Sequence, residues 1–307
     1  MKMNWWGIVF LLLMTLLCSD VVDGQQYDTV NIKHISLDSF VVKRGFSMNA
    51  FIKRVQNDTS FYKAFRSLHL VPFTAVNDFK VYDKHGKVVA SMHANAVQKI
   101  TAKKCRVSSF ADKIVTGDFY DRHNNFNYYT AALFYDLFYS DVPVCNQNDI
   151  VAGALNVKGK GRMEQNKYEL KQLIFNPGSK VQGIPFMGDK ASVFDADEVD
   201  KYIFKVTTEQ YEGEDVYVFS IVPKPEYMHK VVYNELKTWF RQRDYSIMAR
   251  DYSLSYNTLF YDFDLHMKVR MALINNKLYP THIDYKGNWH IATKNREQMS
   301  VVMDIQY

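Results

Sequence analysis

The stretch that most constrains the fold is YDFDLHMKVRMAL, residues 261–273. Every second residue, Tyr261, Phe263, Leu265, Met267, Val269, Met271 and Leu273, is apolar. The intervening row reads Asp262, Asp264, His266, Lys268, Arg270 and Ala272. A sustained period of two marks a strand with one buried and one wet face, because successive side chains of an extended chain point to opposite sides. The same alternation recurs in KYIFKVTTEQYEGEDVYVFSIV, which turns around Glu212-Gly213, and in LKTWFRQRDYSIMARDYSLSY, KLYPTHIDYKG, NWHIATK and EQMSVVMDIQY. Beyond Pro177 the chain reads as nearly all strand.

The polar row contains Asp-x-Asp-x-His, a spacing that suggests metal ligands. Along a strand, residues i and i+4 stand about 13 Å apart at ~3.3 Å per residue. Metal–ligand bonds are only about 2 Å, so without a bulge one ion cannot take all three side chains, and at most one adjacent pair could serve with partners from neighbouring strands. Pairing gives these residues a plainer role. A two-residue turn at Asn275-Asn276 would set Val269 against His282. One more loop residue would set Val269 against Ile283, Met267 against Tyr285, Lys268 against Asp284 and Leu273 against Tyr279. A one-residue slip flips every side chain, so burial selects the second arrangement. Reading Lys286-Gly287-Asn288 as the next turn pairs Tyr285 with Trp289, Ile283 with Ile291 and Asp284 with His290. The polar row then runs Lys268, Asp284, His290 across three strands, as a solvated sheet face.

Other motifs are weak. Gly159-Lys160-Gly161 lacks the rest of a phosphate or dinucleotide loop, and neither GxSxG nor HExxH occurs. Lys237, Trp239, Arg241 and Arg243 share one strand face, either as a lipid-phosphate or nucleic-acid grip or as a solvent-facing row. No cofactor and no metal are expected.

The first half is mixed. Ser47 can cap a helix carrying Phe51, Ile52 and Val55, and Asp58 or Thr59 a second carrying Phe61, Tyr62, Phe65 and Leu68. AVNDFKVYDKHGKVVASMHANAV reads as a hairpin turning at Asp83–Lys87, after an extended piece at Val30–Lys43. Asn127–Tyr139 reads as a helix, with strand the competitor because Tyr and Phe favour it, and residues 162–175 read as a helix stopped by Asn176-Pro177-Gly178. With 21 Phe and 21 Tyr, the chain suits a sheet with a heavily buried face.

Lys2, the apolar run Trp5–Leu17 and the small-residue end Val22-Asp23-Gly24 have the layout of a secretory leader, residues 1–24. The run falls short of the roughly 20 residues that span a bilayer, so an uncleaved anchor is the lesser reading. A lipoprotein leader centred on Cys18 conflicts with Leu17, where a small residue is wanted. Cleavage after Gly24 removes Lys2, Asp20 and Asp23 and moves the net charge from +5 to +6. That excess is spread along the chain and implies no nucleic-acid partner. Cys105 and Cys145 remain. In an oxidising compartment they either pair, closing a loop worth roughly 4 kcal/mol, or stay as buried thiols.

The order YIFKV…EGEDVYVFSIVPK, LKTWFRQRDYSIMARDYSLSY, a long alternating strand and KLYPTHIDYKGNWHI resembles the late strands of the outer-membrane lipoprotein-sorting family (LolA/LppX-like). Residues 35–65 also resemble the segment after the sandwich in envelope proteins with a carboxypeptidase-like regulatory domain. The lipoprotein-sorting resemblance implies an unclosed half-barrel whose apolar face is covered by helices and holds acyl chains.

The expected fold is therefore α+β: one domain, residues 25–307, with a curved antiparallel sheet, an unclosed β-barrel, covered by a few helices. The expected ligand face is Phe263, Leu265, Met267, Val269, Ile283, Tyr285, Trp289 and Ile291, which core packing alone could equally explain. Three functional readings follow. The first is a non-catalytic periplasmic or outer-membrane-peripheral protein that binds a lipid or acyl ligand, or acts as a scaffold with an outer-membrane partner. The second is an integral outer-membrane barrel, suggested by Val301, Met303, Ile305 and Tyr307 on one face. The third is an envelope enzyme using Asp262, Asp264, His266, Asp284 and His290.

Overall fold

A computed structural model describes residues 46–150, 173–178, 190–257, 261–291 and 295–307. All of them fall in one compact unit, Ile32–Tyr307. The leader, the extended piece at Val30–Lys43, Gly159-Lys160-Gly161 and residues 162–172 of the expected helix lie outside the described residues.

Helices α1 (Met48–Gln56) and α2 (Ser60–Ser67) come first. Ser47 Oγ accepts from Ala50 N–H at 3.4 Å, and Asp58 Oδ1 accepts from Ser60 N–H at 2.6 Å, so both helices start where the capping residues predict. Next are β1 (Phe73–Tyr82), β2 (Val88–Ile100), β3 (Arg106–Thr116) and helix α3 (Tyr129–Phe138). The short α4 (Ala196–Val199) precedes β4 (Tyr202–Tyr211), β5 (Glu214–Pro223), β6 (Tyr233–Arg241) and β7 (Ile247–Asn257). The chain ends with β8 (Tyr261–Ile274), β9 (Lys277–Ile291) and β10 (Glu297–Gln306).

The ten strands form one antiparallel sheet in the order β3-β2-β1-β10-β9-β8-β7-β6-β5-β4. Two meanders meet where β10 lies along β1, with Thr74 opposite Gln306 and Tyr82 opposite Gln298. Strands β3 and β4 are the two edges, so the sheet is not closed into a barrel. The fold class is the expected one. Strand β3 was not anticipated, because much of it is exposed on both faces and carries no alternating signal.

The β8–β9 register holds a correction. Asn275 and Asn276 both have positive φ, 50° and 60°, and form a two-residue turn with Ile274 opposite Lys277. The turn alone would oppose Val269 to His282. A bulge at Thr281, between the Arg270–His282 and Met271–Pro280 pairs, supplies the extra residue in the strand instead of the loop. Val269 therefore faces Ile283, Met267 faces Tyr285 and Lys268 faces Asp284, as burial demands. Between bulge and turn the expected register fails, and Leu273 opposes Leu278 while Tyr279 opposes Ala272.

Lys286-Gly287-Asn288 is not a turn. Strand β9 runs through it, with Gly287 opposite Leu265 on β8 and Met299 on β10. Trp289 faces Phe263 and Glu297, and His290 faces Asp262. The three-strand row Lys268, Asp284, His290 does not exist; Asp284 faces Lys268 on one side and Val302 on the other.

One face of the sheet is packed under the helices. Phe51 of α1 meets Tyr217, Phe219 and Phe240, and Phe61 of α2 meets Tyr252. Phe134 of α3 lies between Phe79 and Tyr285. Leu173–Phe175 is helical and fully buried, with Phe175 touching Phe65, Phe134 and Phe138. Each such ring pair adds about 0.5–1.5 kcal/mol beyond the area it buries. The buried Asn77 is fully matched: it donates to Ala75 O and Ala94 O and accepts from the Tyr139 hydroxyl at 2.6 Å. Cys105 and Cys145 are joined by a disulfide with a Cα–Cα distance of 4.0 Å.

Candidate functional site

The inner face of β7–β10 is the candidate site. Phe263, Leu265, Met267, Val269, Ile283 and Tyr285 are all buried there, as their alternation requires. Trp289 is half-buried, its ring 4.9 Å from Phe263, and the side chain of Ile291 lies outside the described residues. Inward residues of β10, Met299, Val301, Met303 and Ile305, continue the surface. Their row is core, not a membrane girdle. Burial pushes the Tyr285 hydroxyl's pKa up, so it stays neutral.

The covering layer is tied to this face at a few polar points. Both carboxylate oxygens of Glu297, the first residue of β10, accept from the N-terminal end of α3. The bonds are Tyr129 N–H to Oε2 at 2.7 Å and Thr130 N–H to Oε1 at 2.9 Å. A negative charge suits a helix N-terminus, where backbone donors lack partners. The Tyr252 hydroxyl donates to Ile174 O, and the Tyr233 hydroxyl accepts from Gly178 N–H at 2.7 Å, holding residues 173–178 to β6 and β7.

One inward residue escaped the sequence reading. Arg250 lies in phase with Tyr252 and Leu254 on β7, so its place in an apolar row was the signal that could have found it. Its Nε donates to Thr238 Oγ1 at 3.0 Å, and its guanidinium sits 4.3 Å over the Phe61 ring.

The outer face carries the polar row. Asp264 and His266 are exposed and Asp262 is half-buried. Each histidine here meets one carboxylate: His266 Nε2 to Asp251 at 2.6 Å, His290 Nδ1 to Asp262 at 3.1 Å, His282 Nδ1 to Asp304 at 2.6 Å and His93 Nδ1 to Asp78 at 2.8 Å. The hydrogen bond to Asp251 raises the His266 pKa above the usual imidazole value. Among the described residues no three His, Cys, Asp or Glu side chains gather as a metal site. Asp262, Asp264, His266, Asp284 and His290 are thus spread along cross-strand pairs and do not converge on one reacting atom. A shallow groove of about 400 Å³ crosses this face, lined by Tyr82, Asp264, His266, Lys286, Asn288 and Ser300.

Lys237, Trp239 and Arg241 also lie outward but form no open stacking platform. Trp239 is 6% exposed, packed with Val216, Val218, Met248 and Ala249, and its indole N–H donates to Glu209. Arg243 lies beyond the end of β6 and pairs with Glu214 at 3.0 Å. A charged outer face also differs from the apolar band of a membrane barrel, and the edges β3 and β4 do not join. No helix among the described residues is long and apolar enough to cross a membrane.

The architecture defines a class: an α+β protein with an open ten-stranded antiparallel sheet covered on one face by helices. The chain is similar to an outer membrane lipoprotein-sorting protein domain from Vibrio parahaemolyticus, with 11% identity over 84% of this chain and 88% of that one, at a TM-score of 0.27. It is also similar to a DUF1329 family protein from Desulfovibrio piger, with 14% identity over 81% of this chain and 92% of that one, at a TM-score of 0.23. No family model and no curated protein matches the chain.

Proposed function

We propose that this is an exported, non-catalytic cell-envelope protein that holds a lipid or acyl chain between the inner face of the sheet and the helices over it. The single observation behind the reading is the nature of that boundary. Phe263, Leu265, Met267, Val269, Ile283 and Tyr285 are buried on the helix-covered face, where Tyr285 meets Phe134 of α3 through its ring, whereas the sheet holds itself together by its own ladder. Cover and sheet can part without breaking a strand pair, and an alkyl chain restores the apolar contact that parting would lose, at about 25 cal/mol per Å². Methionines at positions 267, 271, 299 and 303 suit such a face, because an unbranched thioether adapts to irregular partners. Export is supported by the leader-like run Trp5–Leu17.

Organic extraction of the purified protein, followed by mass spectrometry, tests the reading. Co-purifying lipid, and uptake of an environment-sensitive fatty-acid probe by the stripped protein, are the expected results. A protein that carries no lipid and leaves the probe unchanged is not a carrier.

A further inference from the structure

Two arginines are buried among the described residues, Arg106 at 5% exposure and Arg250 at 6%. Arg106 has a backbone acceptor in the fold, although its buried Nε has no partner among the described residues. Its Nη1 donates to Phe138 O at 3.0 Å, at the C-terminal end of α3, where unpaired carbonyls and the helix dipole favour a cation.

Among the described residues, Arg250 has no such partner. Its Nε–H to Thr238 uses one of five donors, and the Phe61 ring takes one flat side. The carboxylate that bears on it electrostatically is Asp58, which is engaged with Ser60 N–H at 2.6 Å and forms no ion pair with it. Burial works against the charge, yet a guanidinium does not give up its proton in a protein. A buried cation without a paired anion is strongly unfavourable, and binding an anion offsets that cost.

Position gives the anion its character. On β7, Arg250 stands opposite Thr238 of β6 and Val269 of β8, one inward step from Tyr252, which faces Met267. Arg250 therefore stands on the apolar face proposed to take an alkyl chain, with no Nη hydrogen bond to any described residue. Two parallel N–H groups match the two oxygens of a carboxylate or phosphate. Building on the carrier reading, we infer that Arg250 anchors the anionic head group of a single-chain amphiphile, a fatty carboxylate or an alkyl phosphate, whose chain lies along Met267 and Val269.

The experiment compares palmitate, hexadecyl phosphate and hexadecanol, equal in chain length, by calorimetric titration of the purified protein. Palmitate or hexadecyl phosphate should bind at least tenfold tighter than the alcohol, and whichever is tighter identifies the head group. Arg250→Met should abolish the preference, and Arg250→Lys should restore part of it. Equal affinity for the alcohol and both anions in the unaltered protein overturns the inference and leaves the carrier reading intact, and it does so even if Arg250→Met fails to fold. A preference that survives in Arg250→Met also overturns it. Failure of all three ligands to bind overturns the carrier reading itself.

Discussion

Trp289 donates its indole Nε1–H to the hydroxyl of Tyr285 at 2.6 Å, four residues earlier on the same strand, and the bond passes over Gly287. A Cβ on Gly287 would stand 2.0 Å from the Tyr285 oxygen and 2.9 Å from the indole nitrogen. Glycine here is a clearance, not a turn. Gly287→Ala must push the fully buried Tyr285 ring off its site against Phe134. A loss of roughly 2–3 kcal/mol is expected, read as a lower urea midpoint with unchanged slope.

Glu297 ties β10 to α3 through two backbone N–H groups. Glu297→Ala leaves both donors without their acceptor and should cost about 1–2 kcal/mol, in the range of lost helix caps. Glu297→Gln keeps the shape but loses the charge and one of the two acceptors, and should fall between. Urea unfolding of the three proteins checks the order.

His266 has a raised pKa because its ring nitrogen bonds to Asp251. A raised folded-state pKa stabilises the protonated form. This contribution is therefore complete below the ordinary imidazole value of about 6.5 and is lost as pH rises through the higher folded value. The pair is solvent-screened, with the His266 side chain 47% exposed, so the effect is a few tenths of a kcal/mol. An NMR titration of His266 should show the raised midpoint, and Asp251→Asn should return it toward the ordinary value.

The Cys105–Cys145 bridge closes a loop with a sequence separation of 40. On the chain-entropy argument its loss removes about 4 kcal/mol. Urea unfolding with and without reductant should reproduce that difference, and the Cys105→Ser/Cys145→Ser double variant should match the reduced protein and ignore the reductant.

Alternation was the legible part. In β8 the positions of Phe263, Leu265, Met267 and Val269 follow from a period of two, and burying them selects Ile283 and Tyr285 as partners. How the register is reached was not legible. A loop residue and the bulge at Thr281 satisfy the same pattern, and only the chain geometry between Arg270 and Pro280 separates them. Lys286-Gly287-Asn288 has the composition of a turn, and what makes it strand is remote: β10 lies alongside it and the Tyr285 hydroxyl fills the space a Cβ would take. Strand β3 gave no signal because an edge exposed on both faces has nothing to alternate.

The sequence by itself determined the strands with one wet face, the capped starts of α1 and α2, and which side chains of β8 turn inward. These depend on neighbours two to four residues away and on the exclusion of apolar groups from water. Only the tertiary structure decided that β10 joins the two meanders and that Gly287 is a clearance. It alone seats Arg250 beneath Phe61 with no paired carboxylate among the described residues. Such features arise between segments far apart in the chain, where packing sets the outcome and local pattern carries no record of it.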